Sequence, residues 1–232
     1  LHRQTIYINK TGLDIMKFLN NNKVLCLSPH PDDIEYSMLG SMMLYNETQF
    51  DVLCLTVGGA KGYDPTNNEN RRNELINLYN MYDEKNKNVN LMMSKNNYFE
   101  DLNEAGWINY LEKNYLDKNN YDCIFVPPIK DSMYEHRFVH GFGNALVRRN
   151  TISVIEYHTP STLNVWKPNV FIDIKNKYED KLKLLSCFTS QSSKSYFKKN
   201  TLDSFHSNFQ CRKRGMDIVE QFKVIELFGT DV

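Results

Sequence analysis

No charge of one sign dominates this chain: 28 Lys and Arg stand against 28 Asp and Glu in 232 residues. Without a basic excess to neutralise phosphates, nucleic acid is not expected as the main partner. Paired cysteines are missing too. Cys26, Cys54, Cys123, Cys187 and Cys211 are odd in number, widely spaced and free of any C-x-x-C. A disulfide framework is therefore not expected, and a reducing, cytoplasmic compartment is. Long apolar runs are absent: none approaches the roughly 18–20 residues of a membrane-spanning helix, and no signal-peptide pattern opens the chain. The chain begins at Leu1 rather than Met, so trimming upstream is an expectation that qualifies the compartment. Neither G-x-G-x-x-G nor G-x-x-x-x-G-K-[ST] is present, although Thr56–Gly62 is glycine-rich. Those glycines either let the backbone turn sharply near a ligand or cradle a phosphate, and the spacing favours the first.

Apolar, β-branched runs of strand length occur at Val24–Leu27, Asp51–Thr56, Val89–Met93, Cys123–Val126, Ser153–Tyr157 and Val170–Ile174. Between most of them lie stretches of helical period: Ile34–Tyr45, Asn70–Met81, Asn103–Leu116, Glu135–Arg149 and Lys177–Cys187. This alternation predicts an α/β fold, Rossmann-like, with a mostly parallel sheet flanked by helices. The near-continuous apolarity of the runs fits strands buried on both faces. The length suits one domain over residues 1–232. The polar stretches Lys61–Asn70 and Lys118–Asn120 read as loops, and Gln191–Arg214 as either an excursion over the site or a mobile loop.

The chemistry concentrates at His30-Pro31-Asp32-Asp33, where the run Val24–Leu27 gives way to a helix-like stretch. A buried strand there delivers an imidazole and two carboxylates to the sheet edge where open α/β folds bind ligands. His30 and Asp33, three apart across a tight turn, can share one metal ion. Asp32 is left beside them to act on water, or to serve as a helix N-cap. A catalytic zinc takes three protein ligands, so a third must come from elsewhere. Of the six histidines, His136 is the best placed: it opens the helical stretch that follows the strand Cys123–Val126, with His140 one turn further on the same face. His2 and His206 read as structural.

These segments resemble the PIG-L/LmbE superfamily of zinc-dependent N-acetyl-sugar deacetylases. Pro29-His30-Pro31-Asp32-Asp33 with Gly40 is similar to its signature turn, and Arg71 to Glu74 to its R-x-x-E helix start. Asp131 to Val139 resembles D-x-H-x-D-H-R-x-V, with His136 on the metal position. Asp173, Lys181, Ser190-Gln191 and Glu220-Gln221-Phe222 follow the order of the remaining motifs, "DI…K…SQ" and E-x-F. Asp101 falls where the family has a substrate-contacting Asp. Four positions depart from the pattern. Ile34 stands where a Glu usually follows HPDD, with Glu35 one later. Met133 replaces a His that stabilises the oxyanion, Glu135 replaces an Asp, and Phe188 replaces a His.

The resemblance implies a hydrolase with one Zn²⁺ on His30, Asp33 and His136 and Asp32 as general base and acid. Its substrate would be a small amino-sugar molecule, with acetate released. Arg71 would hold an anionic or polyhydroxyl part of the substrate, unless it forms an ion pair with Glu74. Asp101 would accept sugar hydroxyls, unless it caps a loop or helix. One or two of Tyr63, Tyr98, Phe99, Trp107 and Trp166 could stack on a pyranose ring. His140, His158 or a tyrosine is available to replace the missing oxyanion His. Two rivals stay open: an amidase acting on another amino-sugar amide, and a degenerate sugar-binding domain without catalysis. Assembly into a homo-oligomer is open as well.

Overall fold

The computed structural model describes residues 6–8, 22–58, 65–149 and 152–226. The strands are β1 (Ile6–Ile8), β2 (Lys23–Ser28), β3 (Gln49–Cys54), β4 (Val89–Met93), β5 (Cys123–Val126), β6 (Ser153–Tyr157), β7 (Val170–Asp173) and β8 (Val219–Glu226). The helices are α1 (Asp33–Leu44), α2 (Pro65–Asp83), α3 (Glu104–Asn114), α4 (Tyr134–Leu146), α5 (Tyr178–Leu185), α6 (Lys199–Phe205) and α7 (Phe209–Arg212). The strands form one sheet in the order β1-β7-β8-β6-β5-β2-β3-β4. All pairings are parallel except those of β8, which runs antiparallel to both β6 and β7. The predicted α/β, Rossmann-like class with a mostly parallel sheet is the observed one.

Burial follows the period of two that a strand imposes. On β2, Val24 and Cys26 join one apolar cluster with residues of α1, α2 and α5, while Leu25 and Leu27 join another with residues of α3 and α4. On β5, Cys123 and Phe125 divide from Ile124 and Val126 in the same way. Both faces of the central strands are thus covered, which is why the runs read as continuously apolar. Next to β2, the chain winds outward through β3 and β4 on one side and through β5 and β6 on the other. The gap beyond the C-terminal ends of β2 and β5 is the switch point at which such sheets hold ligands.

Three expectations are corrected. The polar stretch read as a loop over Lys61–Asn70 is helical from Pro65, where proline suits the first helical position. Gln191–Arg214 is not a loop throughout, since it contains α6 and α7, the latter capped by the Asn208 side chain on the Gln210 and Cys211 amides. The sequence reading also lacked two strands. β1 has three residues, and β8 interrupts its apolar pattern with Glu220 and Gln221, both buried.

Candidate active site

The turn after β2 and the first turn of α4 meet across the switch point. His30, Asp33 and His136 are buried, and each offers a donor atom within 4.8 Å of the others. One Asp33 oxygen lies 3.3 Å from His30 Nδ1, and the other lies 3.3 Å from His136 Nε2. The His30 amide also donates to Asp33 Oδ2 at 2.9 Å, which ties the turn to its own carboxylate. The edge of Phe99 abuts the His30 ring. Two imidazole nitrogens and a carboxylate oxygen this close together form a donor set that could hold a metal ion. The electrostatics agree. Burial alone would keep His136 neutral, yet Asp33 and Asp131 raise it to about 10, so the pocket between these carboxylates favours positive charge. Burial pushes Asp33 up, but His136 and His30 together hold it well below the usual carboxylate range.

Asp131, met in the sequence only as the first residue of its motif and given no role there, supports His136 from behind. Its Oδ2 sits 3.1 Å from His136 Nδ1 and accepts the Thr159 hydroxyl, while Oδ1 accepts the Met133 amide at 2.8 Å. With Nδ1 engaged, Nε2 is the nitrogen left to face Asp33, the arrangement in which a carboxylate orients a metal-binding imidazole. The loop carrying Asp131 is pinned in turn. Ser132 N donates to Ser161 O, Leu163 N donates to Lys130 O, and Ile129 N donates to the buried Glu156.

Asp32 stands at the N-cap position of α1 with φ of 113°, and among the described residues it alone, apart from glycines, has a left-handed backbone. Burial raises its carboxyl to about 6, with Asp33 adding to the rise and Arg71 the largest opposing influence. Arg71 Nη2 donates to Pro31 O at 2.9 Å and lies 3.3 Å from Asp32 Oδ2. The guanidinium passes close over Gly58, where φ is 76° and a Cβ would fall 2.0 Å from Nη1. Glu35, fully buried and raised to about 7 by burial, accepts the Asp32 amide at 3.1 Å and the Tyr79 hydroxyl at 2.7 Å. A buried, hydrogen-bonded turn thus holds one carboxylate among the metal donors and the next beside them.

A family model described as PIG-L, GlcNAc-PI de-N-acetylase, matches residues 25–147, more than half of the chain. The chain belongs to the PIG-L family. The match takes in the HPDD turn, Arg71, Asp101, Asp131 and His136. Solved structures share the fold. An N,N'-diacetylchitobiose deacetylase from Pyrococcus horikoshii has 21% identity and a TM-score of 0.67, covering 91% of this chain and 86% of that one. The A40926 pseudoaglycone deacetylase Dbv21 has 13% identity and a TM-score of 0.65 over 91% of this chain and 100% of that one. The 4-carboxy-2-hydroxymuconate hydratase GalB from Pseudomonas putida KT2440 has 14% identity and a TM-score of 0.69 over 91% and 99%. No curated protein sequence matches. A hydratase among the neighbours means that the fold alone does not fix the reaction.

Beyond the turn, the PIG-L-like motifs do structural work around the site. Arg71 and Glu74 are not partners: Glu74 accepts the Thr189 hydroxyl and the Ser190 amide and hydroxyl at 2.6–2.7 Å, tying the Ser190-Gln191 motif to α2. Lys181 and Glu220 form a fully buried ion pair at 2.6 Å. Lys181 also donates to Tyr36 O, and Glu220 accepts the Gly40 and Ser41 amides, so the pair grips α1 behind the His30–Asp33 turn. A Cβ on Gly40 would lie 2.9 Å from Ile174, which explains the glycine there.

The other predicted residues divide. Asp101 is exposed, and its Oδ2 accepts the Asn97 and Tyr98 amides, capping the loop that brings Phe99 to His30. Trp107 is core, and Trp166 is buried with its indole on Glu156. Tyr63 and His2 lie outside the described residues. His206 is buried in the core. Met133 is 41% exposed at the start of α4. As its replacement His140 does not serve, because Nδ1 meets Pro127 O and Nε2 meets Asn144. His158 lies stacked between Trp166 and Phe205, held down to about 4 by burial and therefore neutral. Lys194 and Tyr196, unremarked in the sequence, stand within electrostatic reach of Asp32, Asp33 and Arg71.

Proposed function

We propose that this chain is a zinc-dependent N-deacetylase that releases acetate from an amino sugar or its conjugate. The observation that carries the reading is the convergence of His30, Asp33 and His136 with Asp32 alongside. Membership of a family whose model is described as a de-N-acetylase supports it, as do two deacetylases among the structural neighbours. His30, Asp33 and His136 would hold the metal, and bound zinc supplies a Lewis acid that acidifies water and takes up negative charge from a carbonyl oxygen. Asp32 accepts the proton of the attacking water and returns it to the leaving nitrogen. A carboxyl raised to about 6 is ionised at neutral pH yet basic enough to do both. Asp131 keeps His136 in one tautomer, and Arg71 fixes the Asp32 carboxylate while its remaining face meets the substrate. Asp101, at the same sheet edge, is the further substrate contact in this reading. All five cysteines are free, in keeping with a reducing cytoplasmic compartment. No described helix is long and apolar enough to cross a membrane.

The test is metal analysis of the purified protein together with acetate release from a panel of N-acetylhexosamines and their phosphate, nucleotide and glycoside derivatives. Near-stoichiometric zinc with acetate from at least one compound is the expected result. Zinc without hydrolysis of any amide would replace this reading by that of a sugar-binding domain.

A further inference from the structure

The segments that steady His136 share one carboxylate. Glu156 lies wholly buried near the C-terminal end of β6. Its Oε1 accepts the Ile129 amide at 3.0 Å and lies 3.4 Å from His140 Nδ1. Its Oε2 accepts the Trp166 indole N–H at 2.7 Å and pairs with Lys223 of β8 at 3.3 Å. Ile129 stands two residues before Asp131 in the loop after β5. Trp166 closes the loop after β6, in which Thr159 donates to Asp131 and the Ser161 hydroxyl lies 3.3 Å from His136 Nδ1. One side chain thus joins both loops behind His136, the helix that carries it, and β8.

His140 completes the arrangement. It is buried and lies four residues after His136, one turn further along the same face of α4. Burial holds the ring below the ordinary histidine range against the pull of Glu156, so it is neutral and has one proton to place. Its Nδ1 faces two acceptors, Pro127 O at 3.1 Å and Glu156 Oε1, and therefore carries that proton. Nε2 is left to accept from the Asn144 amide at 3.2 Å. The Nδ1–H bond ties α4 to the end of β5 one turn beyond the metal donor. Val139 and Phe142 also pack α4 onto the sheet, but apolar contact is non-directional. It sets how closely the helix lies. The His140 bond sets the rotation of the helix about its own axis, and that rotation aims His136 Nε2.

Building on the zinc deacetylase reading, we propose that His140 and Glu156 are positioning residues for the metal site. His140 fixes the turn of α4 that presents His136 Nε2 to Asp33, and Glu156 holds the two loops that keep Asp131 on His136 Nδ1. Both act through His136 and Asp131. A donor displaced by a fraction of an ångström binds a metal less well, so such support is felt at the site. The ion pair with Lys223 is the part of the cluster that faces away from these loops. Fold stability and positioning can therefore be separated by which partner of Glu156 is cut.

The experiment measures zinc affinity by competition with a chelator, and the melting temperature of the metal-free protein, for the parent and four variants. His140→Leu removes the N–H and is expected to weaken zinc binding about tenfold or more. His140→Asn, whose amide can donate from the place of Nδ1, should restore most of that loss. Glu156→Gln sets an amide against the Trp166 and Lys223 donors and should weaken zinc binding by roughly three- to tenfold. Lys223→Met breaks the ion pair yet leaves the loops on Glu156. It should lower the melting temperature while zinc affinity stays near the parent's. Unchanged zinc affinity in both His140→Leu and Glu156→Gln overturns the proposal. So does a Lys223→Met loss of affinity as large as theirs, because affinity would then merely follow stability. Either result, with acetate still released by the parent, leaves the deacetylase reading standing. A parent that binds zinc but releases acetate from no sugar sinks that reading, while the affinity ratios still decide the roles of His140 and Glu156. A parent that binds no zinc overturns both.

Discussion

On the proposed metal side of the cleft, His30, Asp33 and His136 leave a strand end or the first turn of a helix, and each is held by a buried partner. On the proposed substrate side, Met133 and Asp101 are exposed, and Asp101 spends one oxygen capping its own loop. The difference is one of redundancy. Asp33 makes three contacts within the turn and to His136, and Asp131 accepts from three groups. Asp101 holds two amides of its own loop. Chemistry common to a family can reside on such a rigid edge, while the choice of substrate is left to segments that can change without disturbing it.

Substitutions on the two sides should therefore differ sharply. Asp32→Asn is expected to lower kcat by about 10²–10⁴-fold, the range for losing a general base, with zinc content unchanged. An equal loss of metal would move Asp32 into the ligand set. Lys181→Met leaves Glu220 buried without its cation, so a loss of about 3–5 kcal/mol is expected in denaturant unfolding. A loss near zero would mean that the grip on α1 is not what secures the turn. Asp131→Asn should cost roughly 10–100-fold in zinc affinity or activity, read by competition with a chelator. Across the cleft, Met133→Ala should change stability by no more than about 0.5 kcal/mol and leave kcat nearly as it was. A large fall there would show that the substrate side is built as tightly as the metal side.

The sequence displayed the metal side for physical reasons. A four-residue apolar run followed two residues later by His-Pro-Asp-Asp specifies a strand, its C-terminal edge and a ligand spacing at once. His136 could be found because its helix follows the neighbouring strand of the switch point. Asp131 was harder, as it meets His136 only after the loop folds back onto Thr159, although a carboxylate five residues before a metal-binding His is a usable signal. Arg71 and Glu74 matched the helical spacing of an ion pair, yet each found a partner on another segment. Strand β8 escaped notice because buried Glu220 and Gln221 are paired across distant elements, and pairing of that kind leaves no local period.

The backbone of Asp32 has one more consequence. A φ of 113° is comfortable for glycine alone, and holding a side chain in such a region costs about 1–3 kcal/mol. In the proposed reaction, aspartate at this position trades durability for turnover. Asp32→Gly is accordingly expected to yield a protein that melts at a higher temperature than the parent while deacetylating nothing. A lower melting temperature would mean that the carboxylate's contact with Arg71 outweighs the strain. On that proposed trade, selection for heat resistance alone would erase Asp32 first.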